Sequence, residues 1–219
     1  PILLRSLSGK LRQKLAVKAF AHTREYDTAI HTFLESRLSP TDGSDKLPDE
    51  YFLGLHQEQS LRYGENPHQN AAYYSYTPGE GPLGGELLGG KALSYNNILD
   101  VDAAWRTVST FDEPTVVIVK HLTPTGVATA ETITKAYPGA LASDPVSAFG
   151  GIIAVNRAVD TEFATILGDL FVEAIVAPDF SDDAVAQLQK ERKNCRLLKV
   201  PQKYDGKNWE IRGVHRGVL

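Results

Sequence analysis

"TVVIVKH", residues 115–121, decides how this chain is read. Thr115, Val116, Val117, Ile118 and Val119 all favour extended backbone, and no polar position interrupts them. Alternating polar residues would mark a strand with one wet face. An unbroken β-branched run marks a strand covered on both faces, as in a parallel sheet packed between helices. Downstream, helix-like "ATAETITKAY", strand-like "GIIAVN", helix-like "TEFATILGDLF", strand-like "EAIVAP", helix-like "SDDAVAQLQKERK" and strand-like "CRLLKV" follow in turn. Upstream, "SYNNILDVDAAWRTVSTF" offers its asparagines as a cap and puts Ile98, Val101, Trp105 and Val108 on one helical face. This alternation predicts an α/β fold with crossover helices on a mainly parallel sheet.

Further upstream, "AAYYSY" and "ELLGG" read as strand pieces around the turn-rich "TPGEGPLGG". Across residues 11–38, Leu11, Leu15, Ala19, Ile30, Phe33, Leu34 and Leu38 recur at spacings of three or four, as in one or two amphipathic helices. His22 and His31 lie there as helix-surface residues. "SPTDGSDKLPDE", residues 39–50, gathers Pro, Gly, Ser and acidic residues and reads as a linker. The expected organisation is a helical connector over 1–47 and one α/β unit over 48–219.

The chain has 219 residues, 42% of them apolar, enough to bury a substantial core. A formal charge of -4 argues against broad affinity for nucleic acid or anionic membrane and favours small-molecule partners. Cys195, the single cysteine, cannot form an internal disulfide or a cysteine-based zinc site, and reads as a small buried hydrophobe. The opening "PILLRSLSGK" has too short an apolar run for a secretory signal, and no stretch approaches the roughly eighteen apolar residues of a spanning helix. A cytoplasmic protein is expected. The sequence contains no methionine, which suggests a segment of a longer protein.

In open α/β sheets ligands bind beyond the carboxyl ends of strands, so the residues immediately after each buried strand are the first to inspect. Lys120-His121 ends "TVVIVKH" and leads into "LTPTGVA", expected to be a turn across the top of the sheet. Histidine can take or give a proton near neutral pH, and lysine can stabilise a developing oxyanion or hold a phosphate. The alternative is a solvated lysine and a strand-capping histidine. "SDPVSAFGGIIAV", residues 143–155, places Phe149, Gly150 and Gly151 before a buried strand. The glycines allow close backbone approach and Phe149 could lie against a flat heterocycle, or simply pack. In "EAIVAPDF", Glu173 precedes a strand and Asp179 follows it; a carboxylate here could accept ribose or amine hydrogen bonds, or be solvated.

Two glycine-rich near-matches are weaker. "GEGPLG", residues 79–84, fits a dinucleotide fingerprint by letter, yet Pro82 leaves no helix opening for a pyrophosphate. "GELLGGKA", residues 85–92, has Ala92 where a phosphate loop needs a metal-binding Ser or Thr. No histidine or cysteine spacing indicates a metal site, and no nucleophile elbow is present. His56 and His215 read as surface residues.

"LRYGENPHQ", residues 61–69, holds turn formers Gly64, Asn66 and Pro67 among Arg62, Tyr63 and His68. It is either a surface turn or a loop whose arginine forks onto a phosphate. Together with "NNILDVDAAW", "VKHLTPTGVA" and "SDPVSAFGGIIA", in that order, it resembles the transformylase part of the bifunctional AICAR formyltransferase/IMP cyclohydrolase family. The resemblance runs from "LAVKAFAHTREYDTAI" to about "EAIVAPDF". It implies a three-layer α/β/α, cytidine-deaminase-like subdomain preceded by a helical segment. It implies formyl transfer from 10-formyltetrahydrofolate to the 5-amino group of AICAR, in a homodimer whose active sites lie between subunits.

By position, the resemblance makes His121 the general base and Lys120 the stabiliser of the tetrahedral oxyanion. Arg62 and Tyr63 would bind the nucleotide, Arg62 at its phosphate, with His68 nearby orienting the carboxamide or the catalytic histidine, and Asn97, Phe149, Gly150 and Glu173 would line the base and ribose site. No metal is implied within this chain; a monovalent cation would belong to a second subdomain. Glu173 stands where many relatives have aspartate, and Thr123-Pro124-Thr125-Gly126 stands where many read Asn-Pro-Cys-Gly. Lacking the second subdomain and the cyclohydrolase domain, the segment alone is expected to be inactive. A nucleotide-binding module without catalysis is the alternative.

Overall fold

A computed structural model describes residues 8–38, 51–201, 203, 204, 206 and 210–219. The linker expected over residues 39–50 lies outside the described residues. The chain divides into two compact units, Pro1–Phe52 and Leu53–Leu219. In the first, the helical periodicity yields a single helix, α1 (Gly9–Leu38), with exposed Leu11, Leu15, Phe33 and Leu34.

The second unit opens with an antiparallel hairpin, β1 (His56–Leu61) and β2 (Ala71–Ser75). Then come β3 (Glu86–Gly89), α2 (Tyr95–Ser109), β4 (Thr115–Lys120), β5 (Thr123–Thr129), α3 (Ile133–Ser143) and the short α4 (Pro145–Ala148). β6 (Gly151–Val155), α5 (Thr161–Ile166), β7 (Val172–Ala177), α6 (Asp182–Glu191) and β8 (Arg196–Lys199) follow. A small hairpin, β9 (Gly213–Val214) with β10 (Gly217–Val218), lies near the C-terminus.

The central sheet has six strands in the order β3-β8-β7-β6-β4-β5. β6, β7 and β8 pair in parallel, β4 opposes β6, and β5 opposes β4. β5 therefore runs with β6, β7 and β8, so four strands share a direction, while β3 and β4 oppose them. Thr115–Val119 of "TVVIVKH" form the buried strand that their composition predicts, but its neighbours on both sides are antiparallel. Its side chains divide by strict alternation. Val116 and Ile118 join the core under α3, α5 and α6, whereas Val117 and Val119 join the core under α2. Each is fully buried, worth roughly 1.5–3 kcal/mol against exposure. Helices on both faces complete the three layers expected from the sequence.

Three local readings need correction. "LTPTGVA" is not a turn: Thr123 onward is strand β5, paired directly back onto β4. Pro124 is tolerated because β5 is an edge strand whose register slips between Ile118 and Val119, leaving Thr125 as a bulge that donates its hydroxyl to Ile118 O at 3.3 Å. The cap of α2 is Ser94 rather than an asparagine, because a hydroxyl reaches the Asn97 N–H while Asn97 reaches back to Ser94 N, a capping box. "ATAETITKAY" begins its helix only at Ile133, behind the Thr132 cap, its first residues completing β5. Cys195 is the expected buried hydrophobe, and burial pushes its thiol up to about 12, leaving it protonated and unreactive at neutral pH.

Candidate active site

Register brings the strand-end candidates together. Val119 pairs with Ile152, Gly151 with Val172, and Ala174 with Arg196, so Lys120, the Phe149-Gly150 step, Glu173 and Arg196 all lie at one end of the sheet. This is the carboxyl end of β4 and the amino end of β6, β7 and β8. The first part of α2 reaches the same end, because Arg196 Nε donates to Ala92 O at 3.3 Å and Asp100 Oδ1 accepts from Leu122 N at 2.7 Å.

Lys120 and Thr123 pair across the hairpin, leaving a turn of only His121 and Leu122. Both have positive φ, 55° and 65°. A two-residue turn needs that conformation to match strand twist, and Asn-Gly is the sequence that adopts it readily. His-Leu adopts it at a cost of about 1–3 kcal/mol per residue, which the surrounding structure must hold in place. The turn sets the His121 side chain, exposed, at the extreme end of β4. Lys120 Nζ donates to Phe149 O at 2.6 Å, which fixes the ammonium and leaves two of its protons for a ligand. Asp144, whose carboxylate accepts from Ser147 N at 2.9 Å, caps α4. Its pKa is held below the usual carboxylate range, chiefly by its hydrogen bonds from Ser147, with Lys120's charge contributing.

Phe149 is 59% exposed and lies 5.4 Å, ring to ring, from Phe171, itself 44% exposed. Gly150, at φ 72°, donates its N–H to Phe171 O at 2.7 Å, tying the two segments. Glu173 is the unpaired residue of a register slip between β6 and β7, and its carboxylate forms an ion pair with Arg196. Asn97 is buried and its Oδ1 accepts from Ser94 N and Oγ, so its acceptor side serves the helix cap. In "LRYGENPHQ", Gly64 N donates to Gln69 O and Gln69 N to Asn66 O, both at 3.0 Å, while Gln69 Oε1 accepts from Asn66 N at 2.8 Å. Arg62 rests over the Tyr63 ring at 5.5 Å, and His68 is exposed.

The model of the AICARFT/IMPCHase bienzyme family matches residues 4–219. The chain belongs to this family. It is 49% identical to a bifunctional purine biosynthesis protein PurH of Desulfitobacterium hafniense, over 97% of this chain and 42% of that protein. It is 46% identical to the PurH of Persephonella marina and 47% identical to one from Clostridium botulinum, each over 97% of this chain and 41% of the relative. The chain thus spans about 42% of the length of the curated relatives it matches.

Among the residues that the resemblance to the AICARFT/IMPCHase family singled out, Lys120, His121, Phe149, Gly150 and Glu173 gather at one sheet end, and Asn97 lies in the helix turn beside them. Arg62, Tyr63 and His68 are carried by the separate β1–β2 hairpin; among the described residues no hydrogen bond, ion pair or ring contact links them to Lys120 or His121. A tie from that hairpin is Tyr73 Oη donating to Gly81 O at 2.9 Å.

Asp179 lies at the opposite sheet end, paired with Lys199 at 2.6 Å. That end holds a cavity of about 160 Å³ lined by Trp105, Asn156, Arg157 and Lys203, but Asn156 already serves Thr115, Phe111 and Glu113, Arg157 serves Asp112 O, and Lys203 pairs with Asp112. Among the described residues no cluster of His, Cys, Asp and Glu has the makings of a metal site, and no helix is long and apolar enough to cross a membrane. Asp100, Phe171 and Arg196 escaped the sequence reading. A second aromatic before a strand and a basic residue opening the next were the only signals for the latter two.

Proposed function

We propose that this chain carries the acid–base half of a folate-dependent formyltransferase centre in a longer bifunctional protein of purine biosynthesis, whose other activity is IMP cyclohydrolase. What carries the reading is the Lys120-His121 pair at a strained hairpin tip, in a chain of the AICARFT/IMPCHase family. The 5-amino group of AICAR is a poor nucleophile because its lone pair is delocalised into the ring. His121 accepts a proton from it as its nitrogen attacks the formyl carbon of 10-formyltetrahydrofolate. Lys120 stabilises the negative charge on the formyl oxygen, and collapse breaks the bond to the folate nitrogen, which takes back the proton held by His121 and leaves as tetrahydrofolate.

The aromatic faces of Phe149 and Phe171 beside Lys120 suit a flat heterocycle such as the AICAR base. Glu173, oriented by Arg196, suits the ribose hydroxyls, with Asn97 and Gly150 completing that wall. Arg62 on the β1–β2 hairpin suits the phosphate and Tyr63 the nucleotide beside it, with His68 orienting the carboxamide or the catalytic histidine. Folate contacts and any monovalent cation are assigned to the second subdomain, and the working form to a cytoplasmic homodimer, so residues 1–219 alone are expected to be inactive.

The test is turnover of AICAR and 10-formyltetrahydrofolate by the full-length protein. His121→Ala should lower kcat by at least about 100-fold while calorimetry still shows AICAR binding. Formation of no formylated nucleotide by the wild type, or full activity of His121→Ala, would overturn the reading. Nucleotide binding without turnover in every variant would favour the non-catalytic module instead.

A further inference from the structure

We propose that Asp100 is a positioning residue for the reaction: its carboxylate holds the His121-Leu122 turn in its left-handed conformation and so fixes where the His121 imidazole stands. This rests on the function proposed above. The contact joins residues 22 apart in sequence, with Leu122 N donating to Asp100 Oδ1 at 2.7 Å. In a two-residue hairpin the N–H of the second turn residue has no place in the strand ladder, so something outside the hairpin must accept it or leave it to water. A carboxylate is the strongest acceptor a side chain offers for that purpose.

Asp100 is well placed to act as a fixed point. Its helix, α2, starts at the Ser94–Asn97 capping box and is pinned to the sheet by Val101 and Ala104, both with no exposed surface. Asp100 forms no ion pair among the described residues, so its hydrogen bond to the turn is not shared with a neighbouring cation. Leu122 itself cannot anchor the turn by burial, since it is 53% exposed. Lys120 is fixed separately through Phe149 O. Asp100 thus fixes the tip from the α2 side as Phe149 fixes the lysine from the β6 side, and the two reacting groups are held by different elements. Without Asp100 the turn would relax toward conformations that L-residues prefer, carrying His121 away from the reacting amine.

Three variants of the full-length protein test this. Asp100→Ala should lower kcat about 100-fold, as expected for a catalytic group displaced by an ångström or so. The KM for AICAR should move by less than about threefold, because nucleotide contacts are untouched. Asp100→Asn keeps a carbonyl acceptor and should retain most of the kcat. Asp100→Ala combined with Leu122→Gly should recover it, since glycine adopts the left-handed turn unaided. Amide hydrogen exchange at Leu122 gives a readout independent of activity and should quicken in Asp100→Ala alone among the single variants.

Wild-type kcat in Asp100→Ala, or unchanged exchange at Leu122, would overturn the proposal. Should Asp100→Ala fail to fold, the double variant decides: near wild-type kcat supports positioning, and a loss of about 100-fold overturns it. If His121→Ala proves fully active, the reading of the centre falls. Leu122 exchange in Asp100→Ala would still report whether the carboxylate holds the turn.

Discussion

Two hairpin tips of the second unit, β1–β2 and β4–β5, solve the same problem in opposite ways. The β1–β2 tip, residues 62–70, turns on Gly64, Asn66 and Pro67, closes with backbone bonds and the Gln69 amide, and has no residue at positive φ among those described. The β4–β5 tip turns in two residues, His121 and Leu122, both left-handed without a glycine or asparagine at either place. Where local preference and structure agree, the chain would adopt the turn without help. Where they disagree, neighbouring elements must impose it, and disagreements of that kind concentrate at functional sites. The strained tip carries His121.

If the second tip is imposed by its surroundings, loosening those should cost far more than editing the first. A Cβ on Gly126, in β5, would lie 1.9 Å from the Ala140 backbone carbonyl in α3. Gly126→Val should therefore force β5 off α3 and cost about 3 kcal/mol or more in urea denaturation. A loss no greater than that of an ordinary surface change would mean that α3 does not brace the hairpin. Next in size, a matched pair of exchanges should have opposite signs. Leu122→Gly relieves a left-handed L-residue and should stabilise by about 1 kcal/mol. Gly64→Ala brings a Cβ to 3.1 Å from Gln69 Cβ and Oε1. Gln69 must give by a few tenths of an ångström at its Cβ and at its amide, so the exchange should destabilise by about 0.5–1 kcal/mol. Two changes of the same sign would dissolve the contrast.

The same contrast explains what was legible in the sequence. "TVVIVKH" announced its burial because β-branched residues report environment, but periodicity is blind to direction, and direction is set by the connection that follows. A tight hairpin usually announces itself with Asn-Gly or Asp-Gly; His-Leu followed by Pro124 carries neither signal, so the antiparallel β5 was unreadable. Lys120, His121, Phe149, Gly150 and Glu173 could be picked out because each sits at a strand end, where chain polarity changes sharply. Arg196 and Asp100 could not, because their partners, Glu173 and the Leu122 N–H, are brought to them by strand register and helix packing. The rule that ligands sit beyond carboxyl strand ends found Lys120-His121 through β4's own direction. The cluster around it lies at the amino ends of β6, β7 and β8, which that rule would have passed over.

The smallest expected effect separates the two tips by pH. Beside Lys120, Asp144 caps α4 by accepting from Ser147 N, and its pKa is lowered mainly by those hydrogen bonds from Ser147. A carboxyl depressed on folding stabilises the fold above its unfolded pKa, about 4, and that contribution fades as pH falls through the lower folded value. Acid should therefore release the α4 cap and quicken amide exchange at Ser147 beyond the intrinsic pH dependence, and Asp144→Asn should abolish that extra acid response. The Asn66 N–H of the other tip is bound by the Gln69 amide, which does not titrate, so its protection should hold steady over the same range. An equal acid response at Asn66 and Ser147 would show that the whole unit loosens together in acid rather than at the α4 cap.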